Sequence, residues 1–219
     1  MSDIPASTKS SKHLEEISRA MSALLRHTPE MFDPALYPDY SAPIDKLLLN
    51  LNSNKKLTKK VGLIDINDIH TIIDTNGKDR FKIIDKVRIR ASQGHSDAVA
   101  ALFENSTSHL TDFVPDKHFD ESLLAHGTNA AYVPNIMKVG LLPGNRNCVH
   151  MAFTGVQSDD GVVEVTLRGK SGMRNTCTAL VIINYHQAIK EGHKFYVSDN
   201  GVILYQGTIP PCFLSVIFL

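Results

Sequence analysis

The strongest constraint on the fold is a change of hydrophobic period partway along the chain. Up to about residue 105, apart from a segment of alternating residues at 80–92, the apolar residues recur at the three- and four-residue spacing that is typical of amphipathic helices. Beyond a polar, turn-rich segment, "NSTSHLTDFVPDKHFDES", they occur in short β-rich runs. This order predicts an α+β protein with two lobes. We expect a disordered tail at residues 1–10, a first lobe at 11–105, a linker at 106–120 and a second, largely antiparallel lobe at 121–219.

The first lobe is predicted to hold three helices and a hairpin. The first helix has Ser11 as a plausible N-cap, and Pro29 should end it at about His27. "APIDKLLLNL" predicts a second helix, "NSNKKLTKKVG" a polar connector and "DINDIHTIIDTNGKD" a third helix. "RFKIIDKVRIRAS" predicts a hairpin that turns at Asp85-Lys86. Helices followed by a two-stranded wing indicate a winged-helix-like lobe.

Composition excludes several classes of protein. The 23 Lys and Arg balance 23 Asp and Glu, so the chain lacks the basic footprint of a general nucleic-acid binder, and any anion site must be local. The lysines at 55–60 fit either an RNA-backbone contact or a solvated loop. The apolar runs are too short to cross a bilayer, and the N-terminus lacks the apolar region of a signal peptide. Three widely spaced cysteines indicate neither a disulfide framework nor a zinc site, so we expect an intracellular protein, cytoplasmic or nuclear.

The stretch "KVRIRASQGHSD" predicts a phosphate site. Val87, Ile89 and Ala91 should face the core, and Arg88 and Arg90 should point to the other side of the strand. Ser96 is expected to cap a helix that runs to about residue 103. Arginines on a strand that leads into a helix N-terminus suit a bound phosphate.

Further Arg and His residues lie at the ends of predicted elements. The Arg26-His27 pair ends the first helix, where cations also simply complement the helix dipole. In "LLAHGTN" a strand is expected to end in a His, and the next two residues offer a close backbone approach and a hydroxyl group. P-loop, dinucleotide-binding GxGxxG and HExxH motifs are not found in the sequence.

Six segments together carry a family resemblance. "LLRH", "RIRASQGHS", "HGT", "GLLPGNRNCVHMAF", "SGMRNTC" and "GHKFYVSDNGVIL" occur in an order and spacing that resembles the NAD-dependent RNA 2'-phosphotransferases, which act on tRNA splice junctions. The resemblance runs from about Lys12 to the C-terminus, and its "GMR" segment looks more like the fungal and animal branch than the bacterial one.

The resemblance implies a winged-helix-like RNA lobe and a second lobe with the ADP-ribosyltransferase fold. It implies that the partners are NAD, as a co-substrate, and RNA with an internal 2'-phosphate, typically tRNA, with no metal. The RNA 2'-phosphate attacks the nicotinamide ribose of NAD and forms an ADP-ribosylated RNA phosphate. A ribose hydroxyl then releases RNA with a free 2'-OH and ADP-ribose 1'',2''-cyclic phosphate.

The resemblance also assigns residues. It implies that the catalytic set is Arg26, His27, Arg90 and Arg146, and that these four bind RNA phosphate together with Gln93 and His95. It implies that the NAD site comprises Ser96, His126, Gly127, Thr128, His150, Ser198, Asn200 and Gly201. Two positions depart from the family pattern, because Ser92 replaces the usual Asn and Cys148 the usual His. By strand alternation Cys148 shares a face with Arg146 and His150, so it could line the pocket.

Two other functions remain open at this point. One is an ADP-ribosyltransferase that stops after the first step and caps a terminal nucleic-acid phosphate. The other is a non-catalytic RNA-binding relative. The sequence does not predict the oligomeric state.

Overall fold

The computed structural model describes the chain except for residues 1–5, 33–35, 76, 103–106, 108, 116–121, 160–161 and 168–175. The chain divides into two compact units, Met1–His109 and Leu110–Leu219. Most of the "SGMRNTC" segment, on which the branch assignment depended, lies outside the described residues.

The first unit packs helices against a small sheet. Its helices are α1 (Ser11–His27), α2 (Ile44–Ser53), α3 (Lys55–Val61), α4 (Ile66–Thr75) and α5 (Asp97–Ala100). Its strands β1 (Ala42–Pro43), β2 (Phe81–Ile84) and β3 (Arg88–Ala91) form an antiparallel sheet in the order β1-β3-β2. As predicted, α1 ends at His27 and the hairpin turns at Asp85-Lys86, where both residues have positive φ. Ser10, not Ser11, caps α1 by accepting a hydrogen bond from His13 N.

The predicted polar connector at residues 52–62 is wrong, because it contains α3. The Asn54 side chain accepts a hydrogen bond from Leu57 N at 3.1 Å and so caps the helix. Leu57 and Val61, one helical turn apart, are buried, while the lysines lie on the exposed side. Gly62 ends the helix with a φ of 76°. Two apolar residues among four lysines are enough to dock one short helix.

Three local expectations for the first unit also need correction. Ser7, in the predicted disordered tail, donates to Asp68 on α4 at 2.5 Å, and Lys9 pairs with the same carboxylate at 3.0 Å. The helix after Ser96 ends at Ala100, short of the predicted residue 103. Val87 lies in the hairpin turn and is 64% exposed, because β3 begins one residue later than the alternation suggested.

The second unit is built on an antiparallel eight-stranded sheet. Seven strands follow the order β11-β8-β5-β6-β10-β9-β4, and β7 pairs with β6 beside this path. The strands are β4 (Thr111–Asp112), β5 (Ser122–Thr128), β6 (Cys148–Asp159), β7 (Val162–Leu167), β8 (Ala179–Ile183), β9 (Tyr196–Val197), β10 (Ile203–Gln206) and β11 (Leu214–Phe218). Two helices, α6 (Val133–Val139) and α7 (Tyr185–Lys190), complete the unit. The prediction of an α+β chain with largely antiparallel strands is confirmed.

Strand β6 changes partner along its length, and this positions the site. Residues Cys148–Met151 pair with β10, whereas Ala152 onward pairs with β5. The sheet therefore divides beside the C-terminal end of β5. Within the described residues, no helix has the length and apolar character needed to cross a membrane.

Candidate active site

The end of α1 is tied to the loop that follows β3. The Arg26 carbonyl accepts hydrogen bonds from Ser96 N at 3.0 Å and from Ser96 Oγ at 3.2 Å. Ser96 occupies the N-cap position of α5, as predicted, but its hydroxyl group serves α1 and not its own helix. Gly94 has a φ of +89°, and a Cβ placed there would lie 3.7 Å from the guanidinium carbon of Arg26. The loop is therefore hydrogen-bonded to the Arg26 backbone, and Gly94 lies close to the Arg26 guanidinium group.

The two arginines of β3 have different environments. Both point away from the core, since Ile89 and Ala91 between and after them are fully buried. Arg88 donates to Asp85 through Nε at 2.8 Å, contacts Asp39 at 3.5 Å and lies over the Tyr37 ring. Arg90 donates to a backbone carbonyl, that of Asp39, at 3.4 Å. Arg88 thus stabilises the hairpin, and Arg90 remains the candidate phosphate ligand of this strand.

His95 is the buried centre of the first unit's polar cluster. It is 1% exposed and packs against the rings of Tyr40 and His109, with centroid distances of 4.5 Å and 4.9 Å. Burial lowers its pKa well below 6.5, and the nearby charges of His109, Arg26, His27 and Arg90 lower it further. The His95 ring is therefore neutral. Arg26, His27 and Arg90 lie near enough for their charges to lower its pKa.

Sequence patterns did not single out Tyr40 or His109. Tyr40 is fully buried with a φ of 63°, which few non-glycine residues adopt, and His109 falls in the predicted linker. Neither position carried a recognisable signal.

Gln93 lies half-buried in the loop between Ser92 and Gly94. Ser92 is 1% exposed and donates to Asp79 O at 2.6 Å, so this departure from the family pattern closes the base of the hairpin.

In the second unit, the backbone of Gly127 faces the division of the sheet. Contrary to the prediction, β5 does not end at His126 but continues to Thr128, paired with β8. Thr128 O accepts from Thr178 N on the β8 side, and backbone groups alternate sides along an antiparallel strand. The N–H and C=O of Gly127 therefore point toward β6, beyond Ala125, where the described β5–β6 pairing stops. Gly127 thus offers one hydrogen-bond donor and one acceptor, and it has no side chain to block access to them. This pair suits an amide group of a ligand.

His126 occupies the place where the ladder would have continued. Its Nδ1 lies 2.8 Å from His150 O, and since a carbonyl only accepts, Nδ1 carries the proton and Nε2 is an acceptor in the neutral ring. Burial lowers the pKa of His126, the hydrogen bond to His150 opposes this, and the charge of Arg146 lowers it further. The second unit thus brings His126, His150 and Arg146 together.

The remaining predicted residues of the second unit have structural contacts. Ser198 Oγ donates to Asn200 Oδ1 at 2.8 Å, and Gly201, with a φ of 75°, donates to Ser198 O at 2.9 Å. These bonds close the turn before β10. Cys148 is 2% exposed and packs with Val202 and Leu204, so an apolar cluster holds the side chain that we expected to line the pocket.

Two further observations complete the description of the site. Nδ2 of Asn147, which the sequence patterns did not single out, is buried without a hydrogen-bond partner among the described residues. In the described ranges, no group of three or more His, Cys, Asp or Glu residues is arranged to hold a metal ion.

Comparison with known proteins gives consistent matches. The profile of the RNA 2'-phosphotransferase, Tpt1 / KptA family matches residues 12–207. The chain is 34% identical to a probable RNA 2'-phosphotransferase of Rhodopirellula baltica, over 94% of this chain and 98% of that protein. It is 28% identical to tRNA 2'-phosphotransferase 1 of Danio rerio, over 91% of this chain and 83% of that protein. It is 32% identical to a putative tRNA 2'-phosphotransferase of Schizosaccharomyces pombe, over 94% of this chain and 53% of that protein. These identities do not support a closer relation to the fungal and animal branch.

Proposed function

Because the chain belongs to the RNA 2'-phosphotransferase, Tpt1 / KptA family, we propose that it transfers the splice-junction 2'-phosphate of RNA to NAD. The products are RNA with a free 2'-OH, ADP-ribose 1'',2''-cyclic phosphate and nicotinamide, and tRNA is the expected RNA. The observation that carries the proposal is the loop before α5 lying against the end of α1, where Ser96 donates to the Arg26 carbonyl and Gly94 lies beside the Arg26 guanidinium group. Fixed cations stabilise the charge of a phosphate and of its transition states by electrostatic preorganisation.

The first unit supplies the groups that act on RNA. Arg90 binds the 2'-phosphate, and its contact with the Asp39 carbonyl orients the guanidinium group. Arg26 and His27 act mainly in the second step, when a ribose hydroxyl attacks the phosphate. His27 is exposed and ends α1, so its imidazole is accessible for proton exchange with the substrate. Gln93 and His95 belong to the same phosphate-binding loop, and the burial of His95 favours a supporting role over direct contact.

The second unit supplies the groups that hold NAD. Bound NAD provides a ribose carbon from which nicotinamide can leave. The Gly127 N–H and C=O match the carboxamide of nicotinamide in number and type of hydrogen-bonding group. His126 Nε2 and the Thr128 hydroxyl lie on the same strand end, and His150 faces them from β6. Arg146 stabilises the phosphate during both steps, and the turn containing Ser198, Asn200 and Gly201 lines the NAD pocket.

The finer fold assignments belong to the same proposal. A winged-helix-like lobe at 11–105 is supported by the helices and the β2–β3 hairpin of the first unit. An ADP-ribosyltransferase-like lobe at 121–219 is supported by the antiparallel sheet that divides at β6. We further propose that residues 106–120 link the lobes and that the reaction requires no metal.

The test is nicotinamide release with two matched RNAs. A short RNA with an internal 2'-phosphate should release nicotinamide from NAD and lose its 2'-phosphate, while the same RNA without that phosphate should do neither. Release of nicotinamide only with RNAs that carry a terminal phosphate would indicate a capping ADP-ribosyltransferase. RNA binding without nicotinamide release would indicate a non-catalytic relative.

The role of the α1 pair is tested by trapping the intermediate. Arg26→Ala and His27→Ala should accumulate RNA that carries ADP-ribose on its 2'-phosphate, visible as a slower gel band that requires NAD. Arg19→Ala is the matched control, because Arg19 is exposed on the same helix and pairs only with Glu15 among the described residues. Loss of RNA binding without any intermediate would contradict the assignment to the second step.

A further inference from the structure

One side of α3 carries only positive charge. The helix contains no acidic residue, and all four of its lysines are exposed: Lys55, Lys56, Lys59 and Lys60. Leu57 and Val61 bury the other side. At 3.6 residues per turn the four lysines cover an arc of about 140° around the helix. This face is therefore strongly cationic, although the chain as a whole has no net charge.

The neighbouring part of α1 adds to this charge. Lys60 Nζ lies 3.2 Å from Glu16 Oε1, so this ion pair joins α3 to α1. The hydrogen bond from Lys60 lowers the pKa of Glu16, and the charges of Lys60, Arg19 and Lys12 lower it further. Arg19 pairs with Glu15 on its own helix, whereas Lys12 is exposed near Glu16. We call Lys12 and the four lysines of α3 the α3 patch.

Stability of α3 does not account for the arrangement of its lysines. Lysines four residues apart on a helix repel one another, and α3 has two such pairs, Lys55–Lys59 and Lys56–Lys60. Lys55 and Lys56 also lie at the N-terminal end of the helix, where the macrodipole disfavours cations. Within the described part of the chain, the ion pair with Glu16 involves only the last of the four lysines. An anion bound outside the chain would offset both costs.

We infer that the α3 patch binds the phosphate backbone of the RNA substrate at a distance from the splice junction. The inference rests on the proposed function for the class of partner. Glu16, which Lys60 contacts, lies ten residues before Arg26 on α1, or about 15 Å along the helix axis. An RNA strand held at Arg26 therefore needs only a few more nucleotides to reach α3. Lysines suit this role, because a compact charge on a flexible stem can follow a backbone of any sequence.

Direct binding of two RNAs that differ in length tests the inference without turnover. The test variant combines Lys55→Gln, Lys56→Gln and Lys59→Gln, since glutamine has nearly the helix propensity of lysine. It should bind a 2'-phosphorylated RNA of about 12 nucleotides about tenfold more weakly than the wild type, the combined effect of three exposed ion pairs. The slope of log Kd against log salt concentration should fall by roughly 2, or about 0.7 for each phosphate contact on a single strand. A trinucleotide with the same 2'-phosphate should bind both proteins equally, because it is too short to reach α3.

A second triple variant controls for the change in net charge. Lys138→Gln, Lys190→Gln and Lys194→Gln together remove three exposed lysines from the second unit, and they should leave the affinity for both RNAs within about twofold of the wild type. The melting temperature of the α3 variant should be at least that of the wild type, because the repulsion within the helix is reduced. A lower melting temperature together with weaker binding of the trinucleotide would overturn the inference, since α3 would then serve only the fold.

Unchanged affinity of the α3 variant for the longer RNA would also overturn the inference. In that case, binding of phosphatidylserine vesicles by the wild type but not by the variant would assign the patch to an anionic membrane surface. Failure of the wild type to release nicotinamide with the 2'-phosphorylated RNA would instead overturn the proposed function. The two failures are separate, because the first is read from binding without NAD and the second from product.

Discussion

Replacing Gly94 by alanine should damage catalysis more than it damages the fold. Gly94 has a φ of +89°, so alanine there carries the strain of a backbone region that side chains avoid, about 1–3 kcal/mol. Its Cβ would also lie 3.7 Å from both the guanidinium carbon and one terminal nitrogen of Arg26. That distance is ordinary contact, so the methyl group need not clash, but a shift of the strained backbone toward Arg26 would displace its side chain.

A second glycine in the same unit separates strain from contact. Gly62 has a φ of +76°, and a Cβ there would have no neighbour within 4 Å. Gly62→Ala should therefore lose a similar 1–3 kcal/mol of unfolding free energy without touching the residues that are proposed to bind phosphate. Both losses can be measured by unfolding the protein in urea and following the transition by fluorescence or circular dichroism.

Activity should then distinguish the two variants. Displacement of a catalytic group by about 1 Å costs up to a hundredfold in rate, so we expect Gly94→Ala to be at least tenfold slower than Gly62→Ala. If Arg26 acts in the second step, the slow variant should accumulate the ADP-ribosylated RNA. Equal activities at equal stabilities would refute the reasoning, because Gly94 would then matter only for its backbone conformation.

Three further predictions concern stability. Burial lowers the pKa of His95, so the folded state favours the neutral ring, and the free energy of unfolding should fall as the pH drops below about 6.5. His95→Phe should reduce that slope by up to 1.4 kcal/mol per pH unit, measured by denaturation between about pH 7 and 5. Burial raises the pKa of Asp68, but hydrogen bonds to its carboxylate outweigh this and lower it. Asp68→Asn should therefore cost about 1–3 kcal/mol near neutral pH, and the difference from the wild type should vanish as the pH falls through the lowered pKa; a difference that persists in acid would contradict this. Gly140→Ala would place a Cβ 2.5 Å from Ile209 O and should lose at least about 2 kcal/mol more than Gly144→Ala, whose Cβ meets nothing within 4 Å; equal melting temperatures would contradict it.

Elements that depend on neighbouring residues in sequence were predictable. The helix α1 ends at His27 because Pro29 restricts the residue before it. The hairpin turns at Asp85-Lys86, where a charged pair interrupts two apolar runs. In each case the deciding interaction lies within a few residues, so the pattern carries the information.

Features that depend on distant partners were not predictable. The lysine-rich α3 is a helix because Leu57 and Val61 find apolar partners on other helices, which the local composition does not reveal. Cys148 packs against Val202 and Leu204, fifty-odd residues away, so a side chain that alternation places on the same face as His150 is held in an apolar cluster. The pairing of Tyr40 with His95 and His109 likewise joins three separate segments.

The residues proposed to bind substrate are those at which local rules of structure are broken. His126 inserts its ring where a backbone ladder would continue, and this leaves the polar groups of Gly127 for a ligand. Tyr40 holds a positive φ in the core, where its ring packs against His95 of the loop that is proposed to bind phosphate. Each arrangement costs free energy that the fold must offset elsewhere, which is expected where function rather than stability fixes the residue. The "HGT" and "RIRASQGHS" segments were therefore identifiable from the sequence by their residue types, while the reason they suit a ligand lies in pairings that only the tertiary structure contains.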